Sequence, residues 1–149
     1  MTGSTLGASF DGTELDFWLG DWDVSWTGGH GTNRLERILD DRVILEQFEG
    51  ADDDGSPALH GRSWSVFEPA RALWRQTWVD NQGSYFDLVG ARVDGWFAFV
   101  RNAPEHGARA RQRMVFRDVD ADRFRWTWEF SLDDGASWTL RWEIAYRRR

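Results

Sequence analysis

At 149 residues, 41% apolar and 29% charged, the chain suits one globular domain over 1–149 rather than two domains or a disordered segment. A formal net charge of −7 disfavours a nucleic-acid partner, the lack of lysine removes Schiff-base chemistry, and the lack of cysteine removes disulfides and thiolate ligands. No apolar run approaches the roughly 20 residues of a membrane helix, and the opening lacks a secretory signal's basic start and apolar stretch, so a cytoplasmic protein with no membrane partner is expected.

In chain order, "GTELDFWL" (12–19) reads as one short helical turn, placed to close one end of the fold. A strand is expected over 21–27, where Trp22 and Trp26 continue the four-residue spacing begun at Trp18. Further strands are expected at about 33–39, 43–48, 59–67, 73–79, 85–93, 96–101 and 109–119. The clearest come last. "DRFRWTWEF" alternates Phe124, Trp126, Trp128 and Phe130 with polar residues, and "WTLRWEIAY" does the same with Trp138, Leu140, Trp142, Ile144 and Tyr146. A period of two marks a strand with one buried face. Turn chemistry separates the segments: "TGGHG", "LDDR", "FEPAR", "VDNQGS", "VDG", "DVDAD" and "DDGAS". About ten such strands, with short turns and no extended helical period, predict an all-β, up-and-down antiparallel β-barrel. A sandwich would need long crossovers that are not evident. Eleven tryptophans must then fill a wide interior or line a cavity.

"GADDDGSPALHG" and "NAPEHGA" are irregular and suit portal loops. The acids of the first lack the spacing and closing glutamate of a calcium loop, so no metal is expected. "SLDDGASW" (131–138) resembles the Asp-box hairpin, in which the acid ties the turn to the backbone and the tryptophan packs beneath it. It reads as a structural turn. A propeller would need several copies.

Gly20-Asp21-Trp22, with a short turn before it and a strand after it, resembles the Gly-x-Trp opening of lipocalins and other calycin barrels. Together "FWLGDWDV", "RQTWVDNQGSY" and "SLDDGASWTLRWEIAYRR" resemble an uncharacterised bacterial family of lipocalin-like proteins over nearly the whole chain. The resemblance implies that Trp22 sits at the closed end under an arginine late in the last strand, Arg147 or Arg141. It makes the opening tryptophans a barrel-closing cluster rather than a ligand box. More distant in shape is nitrobindin, a ten-stranded calycin barrel that carries ferric haem on a histidine near its C-terminal end. The three histidines here, His30, His60 and His106, depart from that pattern. Only His60, at the start of a strand beside Arg62 and Trp64, is placed to look into a cavity, so haem is the alternative to having no cofactor.

The polar candidates cluster in "RQTWVDNQGSYFD". Gln76, Trp78 and Asp80 share one strand face, and Tyr85 and Asp87 share a face of the next, while Asp80 and Asn81 also suit the turn between them. Arg62, Arg75, Arg113, Glu46 and Glu129 are strand charges whose direction depends on hairpin register. The competing reading puts most of them in cross-strand pairs on the solvent face. The expected ligand-binding set is Gln76, Trp78, Asp80, Tyr85, Arg62, Trp64, Arg113 and Glu129. No nucleophile elbow, triad or phosphate loop is present. The expected function is binding of a small apolar or aromatic molecule inside the barrel. The alternative is a cofactor-independent isomerase, cyclase or hydrolase, which predicts an acid of raised pKa in a cleft. A plain interaction module would instead show an exposed aromatic face. A homodimer is compatible with faces so rich in Trp and Phe.

Overall fold

The computed structural model describes residues 10–56 and 58–149. A 3-10 turn at Asp16–Trp18 leads into β1 (Gly20–Trp26), β2 (Gly29–Ile38), β3 (Val43–Asp52), β4 (His60–Glu68) and β5 (Leu73–Asp80). Next come β6 (Tyr85–Val93), β7 (Trp96–Asn102), a second 3-10 turn at Pro104–His106, β8 (Arg111–Arg117), β9 (Arg123–Ser131) and β10 (Thr139–Arg148). Each strand pairs antiparallel with the next, and β1 pairs with β10 through Trp22 opposite Arg148. The result is a closed ten-stranded up-and-down barrel preceded by a short helical turn, consistent with the calycin/lipocalin fold.

Alternation decides which side chains enter the barrel. Ile44, Glu46 and Phe48 point inward from β3, Trp74 and Gln76 from β5, and Phe124, Trp126 and Trp128 from β9. β2 begins at Gly29, ahead of the expected start at 33, because two glycines admit close neighbours. A Cβ at Gly29 would meet the Trp26 indole, and one at Gly31 would meet the carbonyl oxygen of Glu49. At β10 the period of two fails. A bulge between Leu140 and Trp142 puts Leu140 opposite Glu129 and 54% exposed, whereas Trp142, Ile144 and Tyr146 keep the inward face. Leu140 and Trp142 therefore do not share a face as their spacing predicts.

Phe10, Leu15, Phe17, Trp18 and Trp22 close one end against Phe116 and Phe124. The Trp22 indole N–H donates to the Trp18 carbonyl at 2.8 Å. The arginine that covers Trp22 is Arg148, not Arg147 or Arg141. Its guanidinium lies 4.1 Å from the ring centroid and donates to the carbonyls of Leu19 (2.7 Å) and Phe17 (2.9 Å). Register is the reason: Arg147 stands opposite Asp23 on the outer face, and Arg141 lies over Phe130. The opening trio also divides. Trp18 and Trp22 belong to the closed end, while Trp26 packs higher, against Phe48 and Trp142.

The hairpin between β9 and β10 is held by its acid. Asp133 accepts from the Ser131 hydroxyl (2.7 Å), the Ser137 N–H (2.9 Å) and the Ser137 hydroxyl (2.6 Å), which with further bonds lower its pKa to about 2. Trp138 closes the turn by donating to the Gly135 carbonyl.

Candidate functional site

Above the closing cluster lies a cavity of about 220 Å³. Phe48, Trp78, Phe86, Trp126, Trp128 and Trp142 supply its rings, with Leu59, Met114 and Ile144 between them. Strand alternation delivers all of these but Leu59, which precedes β4, from six different strands to one space. Trp126 and Trp128 stack in parallel, their centroids 6.3 Å apart, and Phe86 stacks on Trp128 at 5.8 Å. Glycine makes room for another ring: a Cβ at Gly61 on β4 would run into the Trp78 indole, which lies against the wall there.

Two polar groups form the floor. Glu46 on β3 and Tyr146 on β10 both border the cavity, and Asn33 on β2 joins them. The Asn33 amide donates to Glu46 Oε2 at 2.6 Å and to the Tyr146 hydroxyl at 2.9 Å, while the Ser63 hydroxyl donates to Glu46 Oε1 at 2.7 Å. All four residues are buried. Burial pushes the Glu46 carboxyl above its ordinary range, and the bonds from Ser63 and Asn33 only partly offset this. Burial and the neighbouring Glu46 likewise raise the Tyr146 hydroxyl well above 10. Among the described residues three buried polar atoms lack a partner: Asn33 Oδ1 beside Glu46, Gln76 Oε1 on β5, and Trp18 Nε1 at the closed end.

Asp80, Gln82 and Ser84 form the mouth, at the turn from β5 to β6. Partial burial works against the charge of Asp80. Bonds from the Trp78 indole (2.9 Å) and the backbone N–H groups of Gln82 (2.9 Å) and Ser84 (3.1 Å) outweigh it and lower the pKa. One carboxylate thus fixes both the turn and a wall indole. Asn81 ties the same turn to the preceding loop through Ala58 and His60.

Of the residues expected from sequence, Gln76, Trp78 and Asp80 face inward, and the last two border the cavity. Arg62, Trp64 and Tyr85 point outward. Arg62 donates to Glu49 at 2.6 Å, Trp64 is 39% exposed and Tyr85 is 66% exposed. Each sits one position out of phase with inward Ser63, Ser65 or Phe86. Arg113 and Glu129 also lie outside, because Glu129 alternates with inward Trp128. There Arg113 Nε donates to Glu129 Oε1 at 2.8 Å, Arg117 to Oε2 at 2.8 Å, and Trp138 covers the Arg113 guanidinium at 3.9 Å. Burial opposes the charge of Glu129, yet the bonds from Arg117, Thr127 and Arg113 hold its pKa below the ordinary value.

His60 does not look into the cavity. It faces outward and bonds Glu49, while His30 bonds Asp53 at 3.1 Å and His106 packs on Phe130. Among the described residues no group of three or more His, Asp or Glu side chains is placed to hold a metal. A larger groove of about 490 Å³ runs along the outer wall by Asp23, Arg125 and Arg147. Most of its charges have partners, with Arg149 on Asp23, Asp118 on Arg125 and Asp120 on Arg123. The inner cavity is the better candidate because it joins a ring-lined wall to a buried, incompletely bonded polar floor.

Glu46 stands among the strand charges named from sequence but outside the expected binding set, and Tyr146 is a site residue that the sequence reading did not single out. Their signal was present: Glu46 falls between Ile44 and Phe48 at alternate positions, and Tyr146 continues Trp142 and Ile144. Set against known proteins, the chain matches no family model, and no curated protein matches its sequence.

Proposed function

We propose that the protein binds a small apolar or aromatic molecule in this cavity, as a member of the bacterial lipocalin-like family that its opening resembles. The supporting observation is the pairing of a six-ring wall with the Glu46–Tyr146 floor, one surface for a ligand's body and the other for its polar end. The size fits. An apolar cavity of about 150 Å³ takes up benzene, so about 220 Å³ suits one ring with a short polar tail. A native mass spectrum of protein gently purified from its own host tests this directly, together with a benzene titration followed by tryptophan fluorescence. A bound mass or a saturable quench is expected. Neither would be seen if the barrel were packed shut.

A second reading is cofactor-independent proton transfer by an isomerase, cyclase or hydrolase. The observation favouring it is Glu46, an acid of raised pKa inside a cleft and bonded through Asn33 to a tyrosine hydroxyl. It requires that a captured ligand be recovered chemically altered after incubation with the protein. Unaltered ligand leaves the binding reading alone.

A further inference from the structure

We infer that the cavity is built for a cation: a small amine, held as its ammonium between indole faces and the Glu46 carboxylate. This inference rests on the binding reading above and names its ligand class.

The border of the cavity contains two acids, Glu46 and Asp80, and no basic side chain, in a chain with 18 arginines. Four indoles (Trp78, Trp126, Trp128 and Trp142) share that border, and the negative face of an aromatic ring attracts a cation by about 2 kcal/mol when water is excluded. Glu46 is bonded only by two neutral donors, Ser63 and Asn33, whereas an ionised carboxylate offers about four acceptor sites. Burying a carboxylate without a counter-charge is costly, and every ion pair formed among the described residues leaves Glu46 out. Asn33, which donates to Glu46, keeps its own Oδ1 buried without a partner, so the floor itself can take a further N–H donor. An anionic ligand would be repelled by both acids. A neutral alcohol would leave Glu46 protonated.

The other charged and titratable groups nearby leave this unchanged. Tyr146 is held in its neutral form, and Asp80 keeps its negative charge at the mouth. Arg101 lies over Phe86, but its charge is taken by Glu105 at 2.9 Å and its Nη1 by Gln112 at 2.6 Å. When an ammonium enters, the protonated Glu46 carboxyl gives its proton to solvent and the carboxylate pairs with the ammonium. Binding therefore releases one proton wherever Glu46 is protonated in the free protein, and affinity there rises up to about tenfold per pH unit.

The full chain is titrated with 2-phenylethylamine, 2-phenylethanol and phenylacetate, by tryptophan fluorescence and by calorimetry in two buffers of different ionisation enthalpy. The amine is expected to bind about 30-fold tighter than the alcohol, with proton release, and phenylacetate weakest of all. In Glu46→Gln the amine should fall to within about threefold of the alcohol and lose its pH slope. The buffer comparison on the unaltered chain stands even if that variant does not fold. Equal affinity for amine and alcohol, a preference for phenylacetate, or amine binding without proton release at pH 4.5, where a carboxyl raised above 4.5 holds its proton, overturns the cation inference and leaves the cavity reading intact. If benzene and all three probes fail to bind, the cavity reading itself falls.

Discussion

Glu46 and Glu129 are each 6% exposed, yet their environments push them in opposite directions. Glu129 has two guanidinium partners on the outer wall, and Glu46 has none on the inner one. For Glu46 the folded pKa lies above the unfolded value of about 4.5, so between those two values the folded state holds a proton that the unfolded chain releases. Stability is therefore lost as pH rises through that window, by about 1.4 kcal/mol per unit, and is level beyond it. Glu46→Gln removes the titration. Its melting temperature relative to the unaltered chain is expected to climb from pH 4 to pH 8, and a gap independent of pH would refute the assignment. Spacing carries part of this contrast, since Glu46 shares its phase with Ile44 and Phe48 while Glu129 falls between Trp128 and Phe130. Whether an acid in a strand faces in or out depends on register, and a shift of one residue exchanges the two environments.

At the scale of the element, small residues and irregularities set what the strands present. All ten strands were legible from period and turn chemistry, because an inward face of rings and an outward face of charges leave a strong alternating trace. The bulge in β10 was not. It arises where Trp138 and Leu140 lie against outer-wall partners while Trp142 must fill the interior, and no single residue there announces it. The Gly61 slot is another such device. Gly61→Ala would force the Trp78 indole off the wall and into the cavity. The expected cost is about 1–3 kcal/mol of stability together with weaker benzene binding, measured by urea unfolding and fluorescence titration. Unchanged affinity would mean that Trp78 is not a wall of the site.

For the molecule as a whole, the ends have separate duties: one is packed shut by aromatic rings and capped by Arg148, the other is hollow. Arg148→Ala gives up a cation–π contact and three charged bonds to carbonyls, at an expected cost of about 2–3 kcal/mol. Ligand affinity at the other end should stay within about twofold, so urea unfolding and titration of the same variant separate closure from binding. The barrel also answers the tryptophan surplus. Of the eleven indoles Trp64 is exposed and Trp138 lies on the outer wall over Arg113, so the rings do not all point inward, the premise on which a homodimer rests. Light scattering reads the oligomeric state independently of that premise. The overall shape was legible because closure is what this many short strands do to remove their edges. The ligand's chemistry was not, since it depends on which two acids meet which four indoles across the lumen.

Arg148 reaches back 129 residues to Leu19, and β1 finds its second neighbour only in β10. Pairings of such sequence separation make folding slow, on the order of milliseconds to seconds. Of the ten strands, the one that completes the hoop is also the last to be translated. Until it docks, β1 and β9 each offer a row of unmatched backbone groups to any passing chain. A polypeptide halted before β10 is therefore headed for intermolecular association rather than for a smaller working barrel.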